Sequence, residues 1–156
     1  MKINVSTCYA IQMTLYLARN IRTVSSTELS EQLMISQRYI IQIAAKLRDN
    51  SIIKAHAGTG GGFSLAKESS TISVYDVIRI MEGGVCIPEC VQHTPRCEMP
   101  CRSSNLLDTL TVMKEYLDTY LKTITFDMLA DMGIKGQLSE IIWLVESHIS
   151  TMKQIS

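Results

Sequence analysis

Four of the five cysteines in this 156-residue chain lie close together, in a segment that also holds all three prolines. Their spacing is Cys86-x3-Cys90-x6-Cys97-x3-Cys101. Thiolates are soft ligands that suit iron–sulfur clusters, zinc or copper(I), and each x3 pair also fits the spacing of structural zinc sites. Reversible thiol oxidation is a third use of such cysteines in a cytosolic protein, where permanent disulfides are rare. The spacing predicts a shared cysteine site and leaves these chemistries open.

Two other residues are candidate ligands. His93 lies inside the same loop, where a solvated histidine is the simpler interpretation and a metal ligand the alternative. Cys8 lies near the start of the first predicted helix and, taken alone, is interpreted as a small buried thiol. Residues 85–103 show no apolar periodicity, so the elements that position the cysteines must lie on either side of this loop.

Apolar residues at helical spacing predict three helices before the loop, over residues 6–20, 26–33 and 37–50. The predicted amino-terminal caps are Ser6 or Thr7, Ser26 and Ser36. The predicted buried positions are Ala10, Met13, Leu17, Leu29, Leu33, Ile40, Ile43, Ala44 and Leu47. Only a short connection separates the second and third helices, which is typical of a helix-turn-helix whose second helix enters the major groove of DNA.

A β-hairpin is predicted directly after this recognition helix. Residues 51–56 and 63–65 have strand-like composition, and the glycine-rich segment 58–62 connects them. A hairpin in this place is the wing of a winged helix-turn-helix. A further helix is predicted over residues 72–81, with Gly83 and Gly84 ending it. Its predicted inward-facing residues are Val74, Val77, Ile78 and Met81.

Charge is unevenly distributed along a chain whose net charge is zero. Residues 1–67 contain eight Lys or Arg and three Asp or Glu, a net of +5, and residues 68–156 contain seven and twelve, a net of −5. A basic front half predicts a local face for a polyanion, with chance segregation as the alternative.

The recognition helix and the wing carry the residues that are suited to DNA contacts. Arg38 can pair with guanine and Gln42 with adenine, while Tyr39 and Lys46 suit phosphates. The predicted DNA-binding residues are Gln37, Arg38, Tyr39, Gln42, Lys46, His56, Thr59 and Gly60. The alternative is a winged helix that serves protein contacts and carries solvated charges.

A long helix is predicted after the loop, over residues 104–122, and a last helix over residues 138–149. In the long helix, apolar residues recur at alternating steps of four and three, the spacing of a helix that packs on a partner helix. The predicted dimerisation residues are Leu106, Leu110, Met113, Leu117 and Tyr120. Packing within the chain's own core is the alternative.

These elements predict a mainly α fold with a small β-hairpin wing and a long dimerisation helix. The expected divisions are a DNA-binding domain over 1–82, a cysteine-rich sensor loop over 83–103, and a helical dimerisation region over 104–156. No apolar run approaches the 18 residues of a membrane span, and the amino terminus lacks a signal-peptide pattern, so we expect a cytoplasmic protein with no membrane partner. No nucleophile–base pair, phosphate loop or paired carboxylate motif indicates an enzyme.

The order of these parts resembles the Rrf-type family of bacterial transcription regulators, which includes IscR, NsrR and CymR. The matching segments are residues 6–10, 36–43, 47–53, 58–65, 72–78 and 125–131, of which the wing Gly58-Thr-Gly-Gly-Gly-Phe-Ser-Leu65 is the most specific. The resemblance implies a dimeric winged helix-turn-helix with a crossed dimerisation helix and a pseudo-palindromic operator.

The resemblance also implies a use for the cysteines. In several family members three loop cysteines hold a [2Fe–2S] or [4Fe–4S] cluster, and the fourth ligand can come from the first helix of the other subunit. Cys8 falls where the NsrR branch has an acidic ligand, which implies Cys86 or Cys90, with Cys97 and Cys101, plus Cys8 of the partner subunit.

This chain departs from the family pattern in several ways. Its loop has four cysteines instead of the usual three, and their early spacing is tighter. Ile41 stands where the IscR branch has a glutamate that discriminates between operators. Some family members, such as CymR, hold no cluster.

We therefore expect a homodimeric DNA-binding regulator that senses redox state, nitric oxide or iron through an iron–sulfur cluster. The alternatives are the same fold with zinc or bare thiols, and an iron–sulfur carrier or electron-transfer protein without a role on DNA.

Overall fold

A computed structural model of the protein describes residues 4–83 and 105–131. Its elements in chain order are α1 (Val5–Arg19), α2 (Ser26–Leu33), α3 (Gln37–Asp49), β1 (Ile53–His56), β2 (Gly62–Leu65), a 3-10 turn (Ser69–Thr71), α4 (Val74–Glu82), α5 (Asn105–Thr123) and α6 (Phe126–Asp131). The prediction of a mainly helical fold with a small hairpin after the third helix is confirmed. The predicted last helix, residues 138–149, lies outside the described residues.

One hydrophobic core forms where α1 meets the helix-turn-helix pair. The predicted stripe of Ala10, Met13 and Leu17 on α1 is buried. So is the predicted face of α3, together with Leu29 of α2. Leu33 is only half-buried. These helices pair their apolar stripes because each is too short to be stable in water without tertiary packing.

Phe126 of α6 is fully buried in this same core. The backbone fixes its position, since the Phe126 amide donates to the Ile72 carbonyl (3.0 Å) and the Val74 amide donates to the Ile124 carbonyl (2.9 Å). The chain segment that follows α5 therefore packs on the elements that precede the cysteine loop. The proposed domain division at residues 82 and 104 stays a prediction.

Two of the predicted helix caps are wrong. Ser25, not Ser26, caps α2, because its extended backbone lets its hydroxyl accept from the Glu28 amide (3.1 Å). Asn4 occupies the cap position of α1, ahead of the predicted Ser6 or Thr7, and makes no side-chain capping bond. Ser36 occupies the predicted cap position of α3, also without a side-chain capping bond.

Helix α4 begins two residues later than predicted. Ser73 and Asp76 form a reciprocal capping box, so the helix starts at Val74. Val77 and Ile78 are buried as predicted, whereas Val74 and Met81 are half-buried. Gly83 ends the helix as predicted, with a left-handed φ of 83°.

The hairpin is antiparallel, with Ile53 opposite Leu65 and His56 opposite Gly62. Strand β1 starts after the predicted Ser51, because Ser51 has a φ of 58° and its amide closes α3 on the Arg48 carbonyl. Val24 and Phe63 exchange two backbone hydrogen bonds of 2.8 Å. The wing is therefore fastened to the segment between α1 and α2. Within residues 4–83 and 105–131, no helix combines the length and the apolar composition that a membrane span requires.

Candidate DNA-binding surface

The side of α3 that faces away from the core is exposed to solvent. Arg38, Gln42 and Lys46 recur at steps of four residues, so they form one row along the helix, and all three are exposed. Ile41 lies beside this row with about half of its surface exposed (52%). This face combines a guanidinium group, an amide, an ammonium group and an apolar side chain, which are the group types that read base edges and phosphates.

Gln37, the first residue of α3, is exposed but its side chain is held by another helix. Its Nε2 donates to the Ser26 hydroxyl (2.7 Å) and to the Thr27 hydroxyl (3.3 Å). The amino ends of α2 and α3 are therefore adjacent. Sequence reasoning missed this pair of hydroxyls, because it assigned Ser26 to a cap that Ser25 provides.

Tyr39 is half-buried and packs on α1. Its ring and the ring of Tyr9 form a T-shaped pair, with a centroid distance of 5.9 Å and an interplanar angle of 87°. Aromatic pairs favour this geometry because of their quadrupoles. The predicted phosphate contact at Tyr39 is thus also a link between α1 and the recognition helix.

The wing residues His56, Thr59 and Gly60 are all exposed. Gly58 and Gly60 have φ angles of 96° and 86°, a backbone region that favours glycine, and an added Cβ at either would meet open space. His56 Nε2 lies 2.8 Å from the Ser64 hydroxyl of the opposite strand. Because Gly58 and Gly60 lack side chains, the tip of the hairpin can approach another backbone closely.

A polar network stabilises the connection from α1 to α2, behind the wing. Arg22 donates to both carboxylate oxygens of Glu28 (2.5 and 3.0 Å), and the Tyr16 hydroxyl donates to Oε1 (2.9 Å). The hydrogen bonds from Arg22 and then from Tyr16 lower the pKa of Glu28 below its usual value. The positive charge of Arg22 is thus neutralised by Glu28. For the charges of Arg38 and Lys46, the described residues supply no ion pair.

The only described cysteine, Cys8, is exposed on α1, so the interpretation of it as a buried thiol is wrong. It lies off the stripe that α1 buries, beside the buried Thr7. The four loop cysteines and His93 lie outside the described residues. Within the described ranges, no three His, Cys, Asp or Glu residues are grouped to hold a metal ion.

Glu82, at the end of α4, connects the entrance of the cysteine loop to α1. Its Oε1 accepts from the Asn4 amide and from the Thr7 hydroxyl, both at 2.7 Å. Cys8 follows Thr7 directly. The end of α4, where the chain enters the loop, is therefore held against the residue that precedes Cys8.

Helix α5 leaves apolar side chains in solvent. Met113 is 52% exposed and Val112 is 64% exposed, while Leu110, Leu117 and Tyr120 are half-buried. The side chain of Leu106 lies outside the described set. Part of the predicted dimerisation seam is thus already covered within the chain, and Met113 is its most exposed described member.

A family model described as an iron-dependent transcriptional regulator, Rrf2, matches residues 3–132 of this chain. The chain belongs to the Rrf2 family. The predicted resemblance is confirmed, as is the expectation that this protein is not an enzyme, since the family consists of transcriptional regulators.

The Rrf2 assignment agrees with individual relatives. The predicted HTH-type transcriptional regulator ORF2 of Azotobacter vinelandii is 28% identical over 138 residues, covering 87% of this chain and 81% of the relative. The solved structure of IscR from T. potens has a TM-score of 0.68 and 26% identity, covering 88% of this chain and 92% of that one. CymR, the global cysteine regulator of B. subtilis, has a TM-score of 0.71 and 22% identity, covering 85% and 98%.

The Rrf2 fold therefore presents α3 and the wing as an exposed surface, and it positions three groups that sequence reasoning missed. These are the hydroxyls of Ser26 and Thr27 beside Gln37, the ring of Tyr9 beside Tyr39, and the carboxylate of Glu82 beside Thr7. No local pattern revealed them, because each contact joins residues from different helices.

Proposed function

We propose that this Rrf2 regulator binds a pseudo-palindromic DNA operator as a homodimer and that a cysteine-ligated iron–sulfur cluster controls its affinity. The observation that carries the DNA-binding proposal is the exposed row of Arg38, Gln42 and Lys46 on α3, with the glycine-rich wing following directly in the chain. The major groove admits one α-helix, and side chains of its first turns reach base edges.

Each residue of the row has a distinct proposed role. Arg38 pairs with guanine through its two-pronged guanidinium group, Gln42 pairs with adenine, and Lys46 neutralises a phosphate. The exposed part of the Tyr39 side chain contacts a phosphate of the DNA backbone. On the wing, His56, Thr59 and Gly60 approach the backbone or the minor groove, where the lack of side chains at the glycines permits close contact.

Binding to operator DNA as a function of salt tests these roles. Lys46→Ala should weaken binding to all DNA sequences and should reduce the slope of log affinity against log salt by about one, the loss of one phosphate contact. Arg38→Ala should instead relax the preference for one base pair. Arg79→Ala is a matched control, since Arg79 is also exposed but lies on α4. Equal losses in all three variants would contradict the proposed surface.

The proposed dimer uses α5. Met113 and Val112 are neighbouring large apolar side chains that are both exposed, and exposed apolar patches mark interaction sites. A two-fold dimer would present two copies of α3 to successive major grooves, which accounts for a pseudo-palindromic operator. Sedimentation equilibrium tests this part: Met113→Glu should shift the dimer to monomer, and an unchanged mass would contradict it.

One of the proposed cluster ligands, Cys8, lies in the described part of the chain, and a thiolate is a donor that iron–sulfur clusters take. Cys8 presents an exposed thiol on α1, and Glu82, at the end of α4, accepts a hydrogen bond from the hydroxyl of the preceding Thr7. Cys86 follows Glu82 by four residues in the chain. The further proposed ligands are the thiolates of Cys97, Cys101 and either Cys86 or Cys90, with Cys8 supplied by the partner subunit.

When bound, an iron–sulfur cluster would supply sensitivity to oxidants, nitric oxide and iron supply. The chain's own residues offer a route from this site to DNA. Cys8 is followed by Tyr9, whose ring packs on Tyr39 of the recognition helix. A shift of the first turns of α1 would therefore reach α3 through this aromatic contact.

Anaerobic purification followed by absorption spectroscopy and iron and sulfide analysis tests the sensor proposal. We expect iron and sulfide in the wild type and reduced content in Cys8→Ala. Tyr9→Ala should keep the cluster but reduce the difference in operator affinity between intact and oxidised protein. Zinc without iron, or no metal at all, would contradict the cluster and favour the zinc or thiol alternatives.

A further inference from the structure

We infer that Gln37 is a specificity-determining residue that presents only its amide oxygen to the operator, and that Ser26 and Thr27 are the positioning residues that orient it. In this arrangement Gln37 selects bases with an exocyclic amino group in the major groove. The inference rests on the proposed entry of α3 into that groove, and it adds a chemical preference and two residues to that proposal.

Two hydrogen bonds hold the amide nitrogen of Gln37, and not its oxygen, against α2. Gln37 Nε2 donates to the Ser26 hydroxyl at 2.7 Å and to the Thr27 hydroxyl at 3.3 Å. A side-chain amide has two N–H donors on its nitrogen and two lone pairs on its oxygen. Both hydroxyls lie on the nitrogen side, so the donors point at α2 and Oε1 is left as the free polar atom.

The two hydroxyls are available for this purpose. Ser25 caps α2 by accepting from the Glu28 amide, so the Ser26 hydroxyl is not needed at the helix end. Thr27 is exposed and lies one residue further along α2. Gln37 is itself exposed and occupies the first position of α3, where a side chain can reach a base edge.

An acceptor-only glutamine reads DNA differently from a free one. A free glutamine binds adenine through two bonds, accepting from N6 and donating to N7. When its donors are engaged, Gln37 Oε1 accepts from adenine N6 or from cytosine N4 equally well. Guanine O6 and thymine O4 are acceptors, so they would face Oε1 without a proton between them. The expected preference at this position is adenine or cytosine over guanine or thymine.

Selection from a randomised operator library, with full-length protein, tests the inference. The wild type should enrich adenine and cytosine alike at one position of each half-site. Gln37→Met has a similar shape without the amide, and it should lose the preference at that position while the rest of the motif is kept. Gln37→Glu retains an acceptor, so it should keep the preference for amino bases.

The double variant Ser26→Ala with Thr27→Val separates a positioning role from simple contact. It releases the amide of Gln37, which should then favour adenine over cytosine by roughly fivefold or more through the two-bond contact. The rest of the enriched motif and an unchanged thermal melting curve serve as the folding controls.

Three outcomes would overturn the inference. A wild type that already selects adenine alone, with no change in the double variant, shows a free glutamine. A motif that is insensitive to Gln37→Met shows that this side chain does not read a base. A library from which the wild type enriches no motif would overturn the proposed operator recognition as well, so the two failures are distinguishable.

Discussion

Gly62 is a position where one added methyl group should have a large effect on the wing. A Cβ added there would lie 2.1 Å from the Val24 carbonyl oxygen, 2.6 Å from the Val24 carbonyl carbon and 2.9 Å from the Ser25 Cα. All three are backbone atoms, so no side-chain rotation relieves the contact. Gly62→Ala must therefore push β2 away from the segment between α1 and α2.

The size of the effect follows from what that movement breaks. Val24 and Phe63 exchange two backbone hydrogen bonds, each worth about 1 kcal/mol in net stability. Forcing an extra methyl group into a packed site costs a further 1–3 kcal/mol, roughly. Gly62→Ala should thus lower the free energy of unfolding by about 3–5 kcal/mol, a large part of the roughly 5–15 kcal/mol of a typical domain.

Gly60→Ala is the matched control. An added Cβ there meets nothing within 4 Å, and only the left-handed φ of 86° opposes the substitution. This should cost about 1–2 kcal/mol. Urea denaturation followed by circular dichroism gives both free energies, and operator binding shows whether the wing is displaced. Equal stability losses in the two variants would show that the backbone contact at Gly62 does not fasten the wing.

Three further predictions concern the scaffold. Met34→Gly should raise stability by about 0.5–1 kcal/mol, because Met34 is 92% exposed and has a left-handed φ of 54° that glycine adopts without strain. Glu28→Gln should make the free energy of unfolding less dependent on acid pH. In the folded protein the hydrogen bond from Arg22 lowers the pKa of Glu28 below 4.5. The ionised carboxylate therefore stabilises the fold above that pH, and this stabilisation is lost as the pH falls through the lowered pKa. Phe126→Ala should cost about 3–5 kcal/mol in urea denaturation.

The outcomes that would contradict these predictions are specific. Destabilisation by Met34→Gly would mean that the exposed methionine makes a contact that we have not recognised. Parallel stability–pH curves between pH 5 and 2 for wild type and Glu28→Gln, measured by urea midpoints, would show that the Arg22 contact persists in the unfolded chain. A separate, early unfolding transition in Phe126→Ala, with the remaining protein unchanged, would show that α6 is not part of the common core.

The elements that sequence reasoning predicted well are those with a strong local signal. The stripe of Ala10, Met13 and Leu17 and the buried face of α3 follow from helical periodicity, and the glycines after β1 mark the hairpin. The exposure of Arg38 and Gln42 follows from the same periodicity. Element boundaries were less accurate, because a serine two residues from a helix end has several possible roles. Ser25, Ser26 and Ser36 show this directly.

Local sequence patterns were enough to predict the winged helix-turn-helix order, the exposed face of α3 and the clustering of cysteines between residues 86 and 101, because each of these is a property of neighbouring residues. The pairs of distant residues that meet were visible only once the helices were packed together. This packing placed Gln37 against Ser26 and Thr27, Tyr39 against Tyr9, and Glu82 against Thr7. These contacts depend on the distances and angles at which whole helices pack, and helix packing follows from the shape of the shared core, not from any spacing along the chain.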